Sequence, residues 1–95
     1  MRFNLEAAAP LYAELADILL PHGRGAILER AMALIAHLQA LPAQLGLPTR
    51  LRDVGVSEDD LEILAKEASL QTRLLGNNPR ELTVDDIHAI YQQVF

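Results

Sequence analysis

The chain has 95 residues, 51% of them hydrophobic, with a mean hydropathy of +0.13 and a formal net charge of −5. That length makes one small domain, residues 1–95, burying only about 60% of the surface its unfolded form exposes. The excess of 13 Asp+Glu over 8 Lys+Arg argues against nucleic acid as a partner, and the lack of cysteine excludes thiol catalysis, thiolate metal sites and disulfides.

No apolar run approaches the ~18 residues of a membrane span. The opening Met1-Arg2-Phe3-Asn4-Leu5-Glu6 carries an acid early and has no continuous apolar signal core. The expectation from these features is a mature, acidic, cytoplasmic protein with no membrane contact, in keeping with a reducing compartment. Two Phe, two Tyr and no Trp also leave little to stack on bases.

The periodicity is helical throughout, with no alternating stretch that would make a strand. A first helix is expected over residues 10–20. Pro10 suits a first-turn position, Leu11, Tyr12, Leu15, Ile18 and Leu19 share a face, and Pro21-His22-Gly23 ends it. A second helix is expected over 24–45, where Ile27, Ala31, Leu34, Leu38, Leu41 and Leu45 recur at helical spacing and Leu28 and Ile35 widen the stripe. Pro42 cannot donate to the Leu38 carbonyl, which predicts a kink or break there.

Residues 47–56 read as a loop with a short turn around Arg50–Val54. Ser57 then caps a third helix over 58–69, with Asp60 placed to reach back and Leu61, Leu64, Ala65 and Ala68 on its buried face. This helix fades between Ser69 and Gly76. Gly76-Asn77-Asn78-Pro79 marks a turn, and Thr83 caps a last helix over 84–95 with Val84, Ile87, Ile90, Tyr91 and Val94 as its stripe. The expected fold is all-α: four helices and no sheet.

Few residues invite chemistry. His22, His37 and His88 show no close metal-ligand spacing and no acidic partner in a recognisable motif. Glu58, Asp59 and Asp60, like Asp85 and Asp86, are explained by caps and helix dipoles, and Ser57 and Thr83 act as caps before nucleophiles. Gly23 and Gly25 form a bare Gly-x-Gly after a helix, the wrong context for a phosphate loop. Arg50/Arg52 and Arg73/Arg80 have acidic neighbours in sequence and make no basic face. No catalytic, cofactor-binding or metal-binding residue is assigned.

Three stretches carry a family resemblance. Asn78-Pro79-Arg80-Glu81-Leu82-Thr83-Val84-Asp85-Asp86-Ile87 resembles the closing motif of the iron-containing (group III) alcohol dehydrogenases and their maleylacetate-reductase relatives. Leu45-Gly46-Leu47-Pro48-Thr49-Arg50-Leu51-Arg52-Asp53-Val54-Gly55-Val56, running into Ser57-Glu58-Asp59-Asp60-Leu61, is similar to that family's Leu-Gly-Leu-Pro loop, turn and capped helix. Met1-Arg2-Phe3-Asn4 is similar to its Met-Arg-Phe-Asn stretch. Their order matters more than any single match, and together they span nearly the whole chain. Arg24–Ala26 and Glu81 depart from the pattern, and Leu20-Pro21-His22-Gly23 follows the Met-Arg-Phe-Asn stretch instead of preceding it, so its likeness to the metal-histidine region is coincidental.

The resemblance implies the C-terminal part of the family's helical domain. Full-length members are much longer, and their divalent metal and NAD(P) sites lie upstream of the stretch matching Met1, so no ligand or catalytic residue is carried over. The chain alone is expected to hold no cofactor and to show no activity. Leaving several large aliphatic side chains uncovered would forfeit about 1.5–3 kcal/mol each, against total stabilities of about 5–15 kcal/mol. The expected cover is a second copy, giving a homodimer, or a separately encoded dehydrogenase domain. The principal reading is a non-catalytic, self-associating or partner-binding module. The alternative is a small subunit or fragment of a metal- and NAD(P)-dependent alcohol dehydrogenase, with Asn77–Arg80 and Arg50 along a substrate cleft; a truncated remnant is the third.

Overall fold

The computed structural model describes residues 1–95, all helical or irregular, in two compact units, Met1–Leu45 and Gly46–Phe95.

The first unit is an antiparallel helical hairpin. A 3₁₀ turn over Arg2–Asn4 leads directly into α1, Leu5–Leu19, and a loop then leads to α2, Ile27–Gln44. The salt bridge from Arg30 to Asp17 ties the end of α1 to the start of α2. The Arg2 guanidinium donates to Gln39 Oε1 at 2.7 Å near the opposite end.

α1 starts five residues before the expected Pro10, which sits inside the helix. The Ala7-Ala8-Ala9 run has the highest helix propensity of any residue type, which favours the extra turn. Pro10 offers no N–H to the Glu6 carbonyl, but both residues are exposed and that carbonyl can turn to water. α2 likewise continues through Pro42 to Gln44, so of the expected kink or break the helix shows no break. It begins at Ile27 and not at residue 24, because Gly25 adopts φ +120, where the chain cannot be helical. A side chain at Gly25 would also overlap the Glu29 carboxylate, which accepts from the Ala26 N–H at 3.3 Å.

The core of the hairpin departs from the expected pattern. α1 buries Ala8, Ala13 and Ala16, whereas α2 buries Ala31, Leu34 and Ile35. Small residues on one helix let the larger side chains of the other fill the space between them, as close packing requires. Leu11, Leu15 and Ile18 of α1 point away from this core and are exposed.

The second unit contains a 3₁₀ turn at Leu51–Val54, α3 at Asp60–Ser69, the single turn α4 at Thr72–Leu75, and α5 at Val84–Gln93. Leu61 and Ala65 of α3 are buried together with Ile87 of α5, and these two helices pack on each other. Leu64, Ala68, Ile90 and Tyr91 are half-buried around them.

The expected turn near Arg50–Val54 is present, closed by Gly55 at φ +89. α3 starts at Asp60 and not at residue 58, because Asp60 and Leu61 bond to the carbonyls of Ser57 and Glu58 in three-residue steps. The expected fading of α3 is instead a break at Gln71 followed by α4, which makes five α-helices where four were expected. α5 ends at Gln93, two residues short of expectation, because the end of the chain turns to the 3₁₀ segment. The Leu51 N–H donates to the Val94 carbonyl at 2.8 Å.

Candidate functional site

Three polar arrangements organise the second unit. The Thr83 hydroxyl accepts from the Asp86 N–H at 3.2 Å, while the Asp86 carboxylate accepts from the Thr83 N–H at 2.9 Å and from its hydroxyl at 2.8 Å. This reciprocal box satisfies donors that the first turn of α5 would otherwise leave bare. The backbone bond, then the hydroxyl bond, hold the Asp86 carboxyl below its ordinary value, and Arg80 adds a smaller electrostatic contribution.

At the start of α3, the Asp60 carboxylate accepts from the Ser57 hydroxyl at 2.6 Å and from its N–H at 2.8 Å. The hydroxyl bond, then the backbone bond, lower the Asp60 pKa. Here the serine hydroxyl is spent as a donor, so the reach-back by Asp60 occurs without a reciprocal bond from the serine. Both carboxylates are committed to capping.

The turn after α4 is closed by asparagine side chains. Asn78 Nδ2 donates to the Arg80 carbonyl at 2.6 Å, across Pro79, and Asn77 Nδ2 donates to the Arg73 carbonyl at 3.2 Å. The Arg52 guanidinium lies over the Phe95 ring, 4.4 Å from its centroid.

The remaining candidate residues stay apart. His22 is exposed in the loop after α1, and His37 and His88 are half-buried on α2 and α5. No group of three or more His, Cys, Asp or Glu side chains gathers where it could hold a metal ion. The residues present therefore do not fit a divalent-metal centre. Glu58, Asp59 and Asp85 are exposed at helix starts, as are the Arg50 and Arg73 side chains. No helix is long and apolar enough to cross a membrane.

What the structure does assemble is apolar surface. Leu11, Leu15 and Ile18, with Leu19 beside them, form a continuous exposed stripe along α1. Sequence periodicity grouped these four residues together with Tyr12, which is half-buried. It did not reveal that they face outward, since a stripe of large aliphatics reads as the core side by default. The competing signal was the set of alanines at 8, 9, 13 and 16, which lies on the side packed against α2.

A family model described as "Fe-containing alcohol dehydrogenase family, C-terminal" matches residues 1–95. Among curated relatives, the chain is 37% identical over 92 residues to lactaldehyde reductase of Escherichia coli K12, covering 96% of this chain and 24% of that protein. It is 34% identical over 95 residues to 1,3-propanediol dehydrogenase of Klebsiella pneumoniae, covering 99% and 24% respectively. It is 36% identical over 92 residues to the NAD-dependent methanol dehydrogenase of Bacillus methanolicus, covering 93% and 23%. No solved structure gives a significant match. The chain thus spans about a quarter of the length of the curated relatives it matches. Whole-chain family match, ordered motifs and all-helical architecture agree: the chain belongs to the Fe-containing alcohol dehydrogenase family and corresponds to its C-terminal region.

Proposed function

We propose that this chain is a non-catalytic helical module, residues 1–95 acting together, whose work is to bind a protein surface in the cytoplasm. The partner is a second copy of the chain or the nucleotide- and metal-binding part of a dehydrogenase. The observation that carries this reading is the orientation of α1, which packs inward through Ala8, Ala13 and Ala16 and turns Leu11, Leu15 and Ile18 to solvent. Bare aliphatic surface of that kind marks a contact site more often than it serves a free chain.

A second reading makes the chain the C-terminal quarter, or a small subunit, of a metal- and NAD(P)-dependent alcohol dehydrogenase. It is favoured by the coverage of about a quarter of relatives whose names describe reductases and alcohol dehydrogenases. On that reading the metal and cofactor contacts come from the preceding part. The Asn77–Arg80 turn and Arg50 then border a substrate cleft without touching the reacting atoms.

Light scattering across a dilution series, paired with calorimetric titration of NAD and NADP, tests the proposal. A dimer or higher oligomer, or a monomer that binds a hydrophobic dye, with no cofactor heat, is the expected result. Saturable cofactor binding by the chain alone would refute its non-catalytic part. A monodisperse monomer that binds no dye would refute the binding role.

A further inference from the structure

Four leucines between residues 45 and 74 are largely exposed: Leu45 at 71%, Leu47 at 55%, Leu70 at 63% and Leu74 at 68%. Their backbones differ. The N–H groups of Leu70, Gln71, Leu74, Leu75, Gly76 and Asn77 all donate to carbonyls three or four residues back, which locks the chain around α4 in turns. By contrast, none of the N–H groups from Gly46 to Arg50 donates a hydrogen bond, and residues 45–50 are all exposed. Here the chain passes from the compact unit Met1–Leu45 to the compact unit Gly46–Phe95. The last turn of α2 just before it is weakened, since Pro42 gives no bond to the Leu38 carbonyl. Its final tie is the bond from the Leu45 N–H to the Leu41 carbonyl at 3.0 Å.

We propose that the Leu45–Gly46 bond is a processing site, cut by an endopeptidase whose specificity pocket takes a large apolar side chain. A peptide bond in a protease cleft must lie extended with its backbone groups free to pair with the enzyme. An exposed segment without internal bonds is therefore cut before one held in turns, which has to open first. Leu47 is followed by Pro48, whose ring fixes φ and leaves no N–H, so Leu45 is the leucine of this segment that can be cut. Phe3, Tyr12 and Tyr91, which such a pocket would also take, are half-buried and lie within helical or 3₁₀ segments. Water adds across the amide, leaving a carboxylate on Leu45 and an ammonium group on Gly46. The cut crosses neither core, because α1 and α2 stay on one product and α3 and α5 on the other. The second product also keeps the bonds from Leu51 to Val94 and from Arg52 to Phe95, which tie its two ends together. The α1 stripe plays no part in this cleavage, which stands or falls apart from the partner-binding reading.

Limited digestion of the full chain with chymotrypsin, followed over time by intact-mass spectrometry, tests the site. The expected result is that fragments 1–45 and 46–95 appear first, in equal amounts, and persist while smaller peptides form more slowly. Leu45→Lys should slow the loss of the full chain by about tenfold or more, because an apolar pocket rejects an unpaired charge. Ile63→Lys, also exposed but held within α3, should be cut at the parent's rate. A first cut elsewhere, in the 20–26 loop or between residues 70 and 76, would overturn the proposal. Equal rates for the parent and Leu45→Lys would overturn it as well. So would immediate breakdown of both products, because neither unit would then stand without the other.

Discussion

Arg52 and Phe95 meet in two ways at once: Nε donates to the Phe95 main-chain oxygen at 2.6 Å, and the guanidinium covers the ring at 4.4 Å from its centroid. Together with the bond from the Leu51 N–H to the Val94 carbonyl, this contact pins the 3₁₀ turn to the residues after α5. Sequence separation of 43 residues makes it a long-range tie within the second unit. An exposed cation–π contact and a hydrogen bond of this kind together stabilise by about 1–2 kcal/mol. Arg52→Ala should lower the urea-unfolding free energy by that amount. Arg52→Lys should recover little, since an ammonium lacks both the planar face and the Nε donor.

The two faces of α1 should respond oppositely to substitution. Ala16→Leu forces bulk against α2 and should cost about 1–3 kcal/mol. Leu11→Ala in the free chain should stay within about 0.5 kcal/mol of the parent, because its side chain is exposed. Thermal unfolding followed by circular dichroism gives both values. A large loss from Leu11→Ala would mean that the stripe is already covered.

Pro10 breaks one backbone bond in an otherwise continuous helix. Pro10→Ala returns a donor to the Glu6 carbonyl, while the freer unfolded chain offsets about 0.4–1 kcal/mol of the gain. A net stabilisation of about 2 kcal/mol is expected from the propensity difference of about 3 kcal/mol less that offset. Denaturant midpoints of the two proteins decide it.

The cap of α5 depends on both members of the Thr83–Asp86 box. Thr83→Ala should cost about 0.5–2 kcal/mol, and Thr83→Ser should retain most of the cap because the hydroxyl remains. Amide exchange in the first turn of α5 should quicken in the alanine variant and not in the serine variant.

Asp60 and Asp86 both have pKa values lowered by the bonds they accept from Ser57 and Thr83. Their folded-state values lie below the unfolded one, so their stabilising contribution is fully present above about pH 4. It is lost as pH falls from there through the lower folded values. Urea midpoints measured from pH 6 downward should therefore decline below about pH 4. Asp60→Asn combined with Asp86→Asn should flatten that decline. An unchanged acid profile in the double variant would show that other carboxylates govern it.

Local features of the fold were legible without coordinates. The Thr83 cap, the turn after Arg50, the Asn-Asn-Pro-Arg reversal and the Leu61/Ala65 face each depend on residues a few positions apart, and near-neighbour chemistry determines them. Helix ends were less legible. The Ala7-Ala8-Ala9 run carried α1 past the expected proline start, and the last two residues left α5 to bond with Leu51 and Arg52. Family membership was likewise readable, because it lies in the order of short motifs along the chain.

Tertiary packing alone decided which side of α1 faces inward. Leu11, Leu15 and Ile18 have the greater apolar area, but the three buried alanines give a closer approach to Leu34 and Ile35. Periodicity ranks faces by hydrophobicity, whereas packing of one helix on another also ranks them by shape. The amino-acid sequence by itself determined that the chain is helical, where its turns fall and to which family it belongs. The structure decided which apolar surface is spent on the hairpin and which stays exposed, because that outcome depends on how two distant surfaces fit.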